Sequence, residues 1–208
     1  MRANQRQDIY GIGQESEQMV ATYFSKKYGC LVVPVSEYTN NTGVKINAPM
    51  LIDKDGPLIS PDLLIINNNK SFWIEVKQKS EPTYYWKKSR WEHGIDKPNF
   101  DAYLETQKSS YPVYIIIHEI NSPNTPDLYL SSKDDISAFK KMKSDLQRKD
   151  VWLRISINDA SLHGQCRPSN PEMISTKNPL GLGIYWPRSN MQEIQDFFDY
   201  VQQDWRTA

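Results

Sequence analysis

Residues 59–80, ISPDLLIINNNKSFWIEVKQKS, constrain the fold more than any other stretch of the chain. Two apolar runs, residues 63–66 and 72–76, flank three consecutive asparagines, which is the pattern of two strands joined by a tight turn. With Asn68 and Asn69 as a two-residue loop, Asn67 faces Lys70, Ile66 faces Ser71, Leu64 faces Trp73 and Asp62 faces Glu75. Cross-strand Cβ atoms lie about 5 Å apart and like charges there repel, so two facing carboxylates call for a cation beside them. Strand alternation puts Lys77 on the face of Glu75 and turns Val76 to the other. The hairpin is apolar on both faces, as in the buried core sheet of an α/β domain. Its polar end gathers two acids and a base.

The 208 residues are enough to bury one core. No internal repeat or interdomain linker is evident, so a single domain over 1–208 is expected, with 1–10 a flexible arm and 120–208 a C-terminal elaboration. Charged residues make up 24% and aromatic residues 12%, a folded composition that excludes a disordered chain. The formal net charge is zero, so any nucleic acid must be met by a local basic patch rather than by the protein as a whole. Cys30 and Cys166 are the only cysteines. With no secretory signal and no apolar run long enough to cross a bilayer, a cytoplasmic, reduced protein with no membrane partner is expected. A zinc site would need about four ligands, and His163 with Cys166 supplies half of them.

Along the chain, residues 14–29, QESEQMVATYFSKKYG, read as a helix with Met19, Val20, Tyr23 and Phe24 on its apolar face and Gly29 as its stop. Residues 30–35 read as a short strand. The segment 36–60 is rich in turn formers, with a strand at 50–53 and a turn at 55–57. After Lys77 the chain interleaves Lys79, Lys87, Lys88 and Arg90 with Tyr84, Tyr85, Trp86 and Trp91. Cations neutralise phosphates while aromatic faces stack on unpaired bases; the alternative is a solvated loop anchored by core tryptophans. Residues 100–108 read as a helix crossing to the continuous apolar strand 113–118, a βαβ unit. His118 ends that strand as a structural residue, while His93 is placed for substrate contact. Further on come a strand at 127–130, a basic helix at 133–147 and a strand at 151–157. Lys140, Lys141, Lys143, Arg148 and Lys149 form a positive stripe. Residues 161–179 read as loop, 183–186 as a strand, and Asn190 as the cap of a final amphipathic helix through Trp205.

Pro61-Asp62, twelve residues, then Glu75-Val76-Lys77 resembles the metal-binding signature of the PD-(D/E)xK nuclease superfamily, and in particular its Holliday-junction resolvase and phage-type resolvase-like branch. Gly11 to Glu15 is similar to that branch's Gly-x-x-x-Glu on the first helix, with Glu17 a competitor that periodicity does not separate from Glu15. Trp86, Trp91, 94–96, Asn99, Phe100 and Tyr103 are similar to a segment following the lysine motif in the phage-type members. The resemblance implies a restriction-endonuclease-like core, a central mixed β-sheet flanked by helices. It implies a Mg²⁺- or Mn²⁺-dependent endonuclease in which Asp62, Glu75 and the Val76 carbonyl hold the metal. Lys77 and the helix acid, Glu15 or Glu17, complete the catalytic set. DNA is the implied partner, contacted through Lys79, Tyr85, Trp86, Lys87, Lys88, Arg90 and Trp91, and a homodimer the implied assembly. Branched DNA, a restriction or phage-defence substrate, and a non-catalytic binding protein of the same fold remain open.

Overall fold

The computed structural model describes residues 2–35, 38–39, 45–46, 51–54, 56–67, 70–80, 82–123, 148–168 and 181–194. Helix α1 (Arg2–Tyr28) leads into strand β1 (Leu31–Pro34). Two short hairpins follow: β2 (Tyr38–Thr39) with β3 (Lys45–Ile46), and β4 (Leu51–Asp53) with β5 (Gly56–Leu58). The motif strands are β6 (Leu63–Asn67) and β7 (Lys70–Lys79). Then come β8 (Thr83–Tyr85), a 3₁₀ turn (Trp86–Lys88), β9 (Arg90–Asp96), α2 (Lys97–Ser109) and β10 (Val113–Pro123). The remainder comprises β11 (Arg148–Ser156), α3 (Ile157–His163), β12 (Gln165–Pro168), β13 (Leu182–Pro187), a 3₁₀ turn (Arg188–Asn190) and β14 (Gln192–Glu193). The larger sheet has the order β1-β6-β7-β10-β11-β14 and a second sheet the order β12-β13-β9-β8. This is the mixed α/β class expected from the sequence.

The chain divides into two compact units, one formed by 1–78, 97–115 and 156–158, the other by 79–96, 116–155 and 159–208. In the first, β6 and β7 pair antiparallel in the expected register, Asn67 with Lys70, Ile66 with Ser71 and Leu64 with Trp73. Residues 72–76 are buried without alternation, as a strand covered on both faces must be. Phe24, Phe72 and Tyr114 meet edge to face at 5.9 and 5.7 Å, the arrangement that ring quadrupoles favour. Helix α2 buries Phe100, Tyr103 and Thr106 on one stripe, and the Thr106 hydroxyl donates to the Ile59 carbonyl at 2.8 Å. Trp73 lies in the core with its indole N–H on Ser110 Oγ at 3.0 Å.

The second unit holds the four-stranded antiparallel sheet, whose one face carries the buried Ile95, Ile184 and Trp186. On the other face Gly94 lies opposite Tyr185.

Several expectations change. Residues 2–10, read as an arm, are the opening turns of α1. Residues 83–96, where no strand was expected, form a β-hairpin, since Thr83, Tyr84 and Tyr85 pair with Glu92, Trp91 and Arg90. The reading followed the charges of this segment and not its alternation. Residues 157–163, partly read as loop, are helical. Asn190 closes a 3₁₀ turn instead of capping a helix, and Gln192 and Glu193 pair with β11. The strand at 127–130, the helix at 133–147 with Lys140, Lys141 and Lys143, and the chain beyond 194 lie outside the described residues.

Candidate active site

Asp62 is the residue just before β6, so it sits at the end of the ladder and not inside the strand. The last pair is Leu63 with Ile74; one step further the register sets Asp62 level with Glu75. There the Asp62 carbonyl accepts from the Val35 N–H at 2.8 Å and its carboxylate Oδ2 accepts from the Val76 N–H at 2.7 Å. A side chain thus continues the ladder where the backbone turns away.

Glu75 is 1% exposed. Its Oε1 is ion-paired with Lys77. Oε2 has no hydrogen-bond partner. Lys77 reaches outward, with its side chain 33% exposed. Burial pushes the Asp62 carboxyl well above the usual carboxylate range, and the neighbouring Glu75 charge adds to this; Lys77 and the Val76 N–H work the other way. Burial also works against charge on Lys77, but Glu75 and Asp62 outweigh it and hold the ammonium above its ordinary value. Burial, with Glu75 next, raises the Tyr103 hydroxyl far out of the physiological range, so this group stays a donor.

Of the two helix glutamates, Glu15 is exposed, while the charge of Glu17 acts on both Asp62 and Lys77. Next to it Ser16 is buried, and its hydroxyl donates to Gln78 Oε1 at 3.1 Å, which fastens α1 to β7 directly after the acid-x-lysine motif.

No group of three or more His, Cys, Asp or Glu side chains forms a metal-ligand cluster among the described residues. The donors that are present still suit a hard divalent ion: two desolvated carboxylates, one with an unsatisfied oxygen, beside main-chain groups of β7. A buried carboxylate oxygen left without a partner is costly, and a cation is the group that satisfies it without adding a like charge.

The residues expected to touch DNA are more engaged with one another than the sequence suggested. Lys87 and Lys88 are exposed in the 3₁₀ turn that begins at Trp86, and Lys79 ends β7 half-buried. Arg90 Nε donates to Glu92 at 2.8 Å. The guanidinium of Arg167 pairs with the same glutamate and lies between the rings of Tyr85 and Tyr185, 4.0 and 4.1 Å from their centroids. Trp91 meets Tyr84 at 5.1 Å. Sequence reasoning missed Arg167 and Glu92, since neither belongs to a motif. His93, read as a substrate contact, is buried and bonded at 2.5 Å to Glu119, a carboxylate that Arg188 also grips at 2.7 and 3.0 Å. His118 is buried and stacked on Trp152 at 3.7 Å.

No protein-family model matches the chain, and no curated protein matches it. Among solved structures it is similar to Hjc, a Holliday junction resolvase of the archaeal hyperthermophile Archaeoglobus fulgidus, with 12% identity and a TM-score of 0.46 over 89% of this chain and 98% of that one.

Proposed function

We propose that this chain is a metal-dependent endonuclease that hydrolyses phosphodiester bonds in DNA. The observation that supports the reading is the pair Asp62, half-buried, and Glu75, buried, with an unpartnered Glu75 oxygen and Lys77 alongside. Two carboxylates in a desolvated site repel strongly, and a fold keeps such a pair where a cation or a proton joins it. Asp62, Glu75 and the main-chain carbonyl of Val76 would hold Mg²⁺ or Mn²⁺, with a helix glutamate, Glu15 or Glu17, on its waters. When bound, such an ion lowers the pKa of its water and polarises the scissile phosphate.

The chain's own groups do the rest. Lys77, kept charged by its two acidic neighbours, holds the attacking water or the phosphoryl oxygens as negative charge accumulates, a contribution made mainly in the transition state. Lys87 and Lys88, exposed on their turn, neutralise backbone phosphates. A homodimer supplies the second centre that cutting two strands requires.

Calorimetric titration with Mn²⁺ tests the centre. Asp62→Asn weakens binding more than about tenfold and removes cleavage; unchanged affinity in the variant discards the site. The substrate class is read from a panel of duplex, nicked, flapped, four-way and single-stranded DNA, with RNA alongside. Cleavage of four-way DNA over duplex supports a junction-resolving enzyme, cleavage of duplex alone a restriction or defence nuclease. DNA binding without any cleavage in the presence of metal overturns the enzymatic reading in favour of a binding protein.

A further inference from the structure

We infer that Ser16 and Gln78 are positioning residues for Lys77, an inference that rests on the nuclease reading above. Strand β6 begins at Leu63, whose partner is Ile74, so residues 75–79 of β7 run past the end of that ladder. The acid-x-lysine motif therefore stands on an overhang. A strand end unpaired on one side opens more easily than the paired part. A group that meets a phosphoryl oxygen must nevertheless be held closely, since a misplacement of about 1 Å can cost about 100-fold in rate.

Two side-chain hydrogen bonds grip this overhang. On the β6 side Asp62 Oδ2 accepts from the Val76 N–H at 2.7 Å. On the α1 side the Ser16 hydroxyl donates to Gln78 Oε1 at 3.1 Å. Lys77 lies between the two gripped residues. Alternation turns Gln78 to the face opposite Lys77, so the helix holds the backbone that carries the lysine and leaves the ammonium to Glu75. Phe72 shares the face of Gln78, and there Phe24 of α1 packs edge to face at 5.9 Å. Phe24 and Ser16 are about two turns apart on the buried line of α1. The helix thus meets the strand at two points, and two points prevent the pivoting that one would allow. Ser16 is 2% exposed in a helix that alanine would favour; the bond to Gln78 is a reason for a serine there.

The test is kcat and KM, with Mn²⁺, on the DNA that wild type cleaves best, using the full chain with Ser16→Ala, Gln78→Met and both together. Ser16→Ala raises helix propensity and Gln78 is half-buried, so both variants keep the fold. Each single change should lower kcat about tenfold or more and leave KM for DNA within about twofold. The double variant should be no slower than the slower single one, because either change breaks the same bond. A lower urea midpoint with wild-type kcat, or losses of kcat that multiply in the double variant, overturns the inference; the nuclease reading then stands on wild-type cleavage and its loss in Asp62→Asn. If wild type cleaves no DNA with Mn²⁺, the nuclease reading falls first and this inference with it.

Discussion

Ser16 separates the two helix glutamates, which the sequence left equivalent. The sequence offers Met19, Val20, Tyr23 and Phe24 as the inward face of α1, and around that face Glu15 and Glu17 are equivalent. In the structure Met19 is 45% exposed, while Ser16, Val20 and Phe24 are the buried line. At 100° per residue, steps of four drift around the helix, and the centre of that line lies about 60° from Glu17 and about 140° from Glu15. A buried serine is invisible to hydropathy because its burial depends on a partner, Gln78, 62 residues away. Glu17→Gln should therefore lower Mn²⁺ affinity and cleavage about tenfold, whereas Glu15→Gln should change both by less than about twofold. Calorimetry and a cleavage assay on the two variants side by side decide it; equal losses, or the reverse order, would return Glu15 to the site.

At the scale of elements, the hairpin was legible because its signals are local: an asparagine turn, two apolar runs, and a register that the turn length fixes. The candidates at the end of this hairpin inherit that legibility, since the register alone sets Asp62 level with Glu75 and puts Lys77 on the same face. Of the second sheet only β13 was legible, as the strand expected at 183–186. Its strand β9 reads RWEHGID, and three charged residues and a glycine suppress the strand signal. The charges are tolerated because non-local partners satisfy them, Arg167 for Glu92 and Glu119 for His93. The glycine is required: a Cβ on Gly94 would lie 2.5 Å from the Ile184 carbonyl oxygen and 2.6 Å from Tyr185 Cδ1. The carbonyl belongs to the paired strand β13 and cannot move without breaking the ladder. Gly94→Ala should therefore destabilise the protein by about 1–3 kcal/mol, read as a lower urea midpoint. Gly13→Ala in α1, where a Cβ meets nothing within 4 Å, should be neutral or stabilise by up to about 1 kcal/mol. A midpoint unchanged by Gly94→Ala would mean that the sheet opens there at no cost.

Over the whole molecule, the single domain expected from the sequence meets a chain that divides into two compact units. The divisions fall at 78/79, 96/97, 115/116, 155/156 and 158/159, inside or at the ends of strands and helices. Composition marks a linker but carries no trace of a division that falls inside a strand. The charge balance is equally silent, with 25 basic and 25 acidic side chains, yet one buried cluster makes the stability of the protein depend on acid. Burial works to raise the pKa of Glu119, but the hydrogen bonds from His93 and Arg188 outweigh it and hold the carboxyl at about 2 instead of its usual 4.5. An ionised carboxylate only accepts, so His93 Nε2 carries the proton in that bond. Because the folded state holds Glu119 ionised where the unfolded chain would protonate it, its contribution is complete above about pH 4.5 and is lost as the pH falls toward 2. A tenfold change is worth about 1.4 kcal/mol, so the drop from 4.5 to about 2 corresponds to about 3 kcal/mol. His93 acts in the same direction. Burial above all holds its pKa below 6.5, Arg188 and Lys79 oppose its charge while Glu119 favours it, and its share begins to fade once the unfolded histidine takes a proton near pH 6.5. Urea unfolding of wild type and Glu119→Gln at pH 7, 5 and 3 measures the linkage. The variant should be less stable by up to about 3 kcal/mol at pH 7, and the gap should close toward pH 3 because only wild type loses the ionised carboxylate. A gap that stays constant with pH would mean that Glu119 contributes packing alone, and that Arg188 and His93 do not hold its charge.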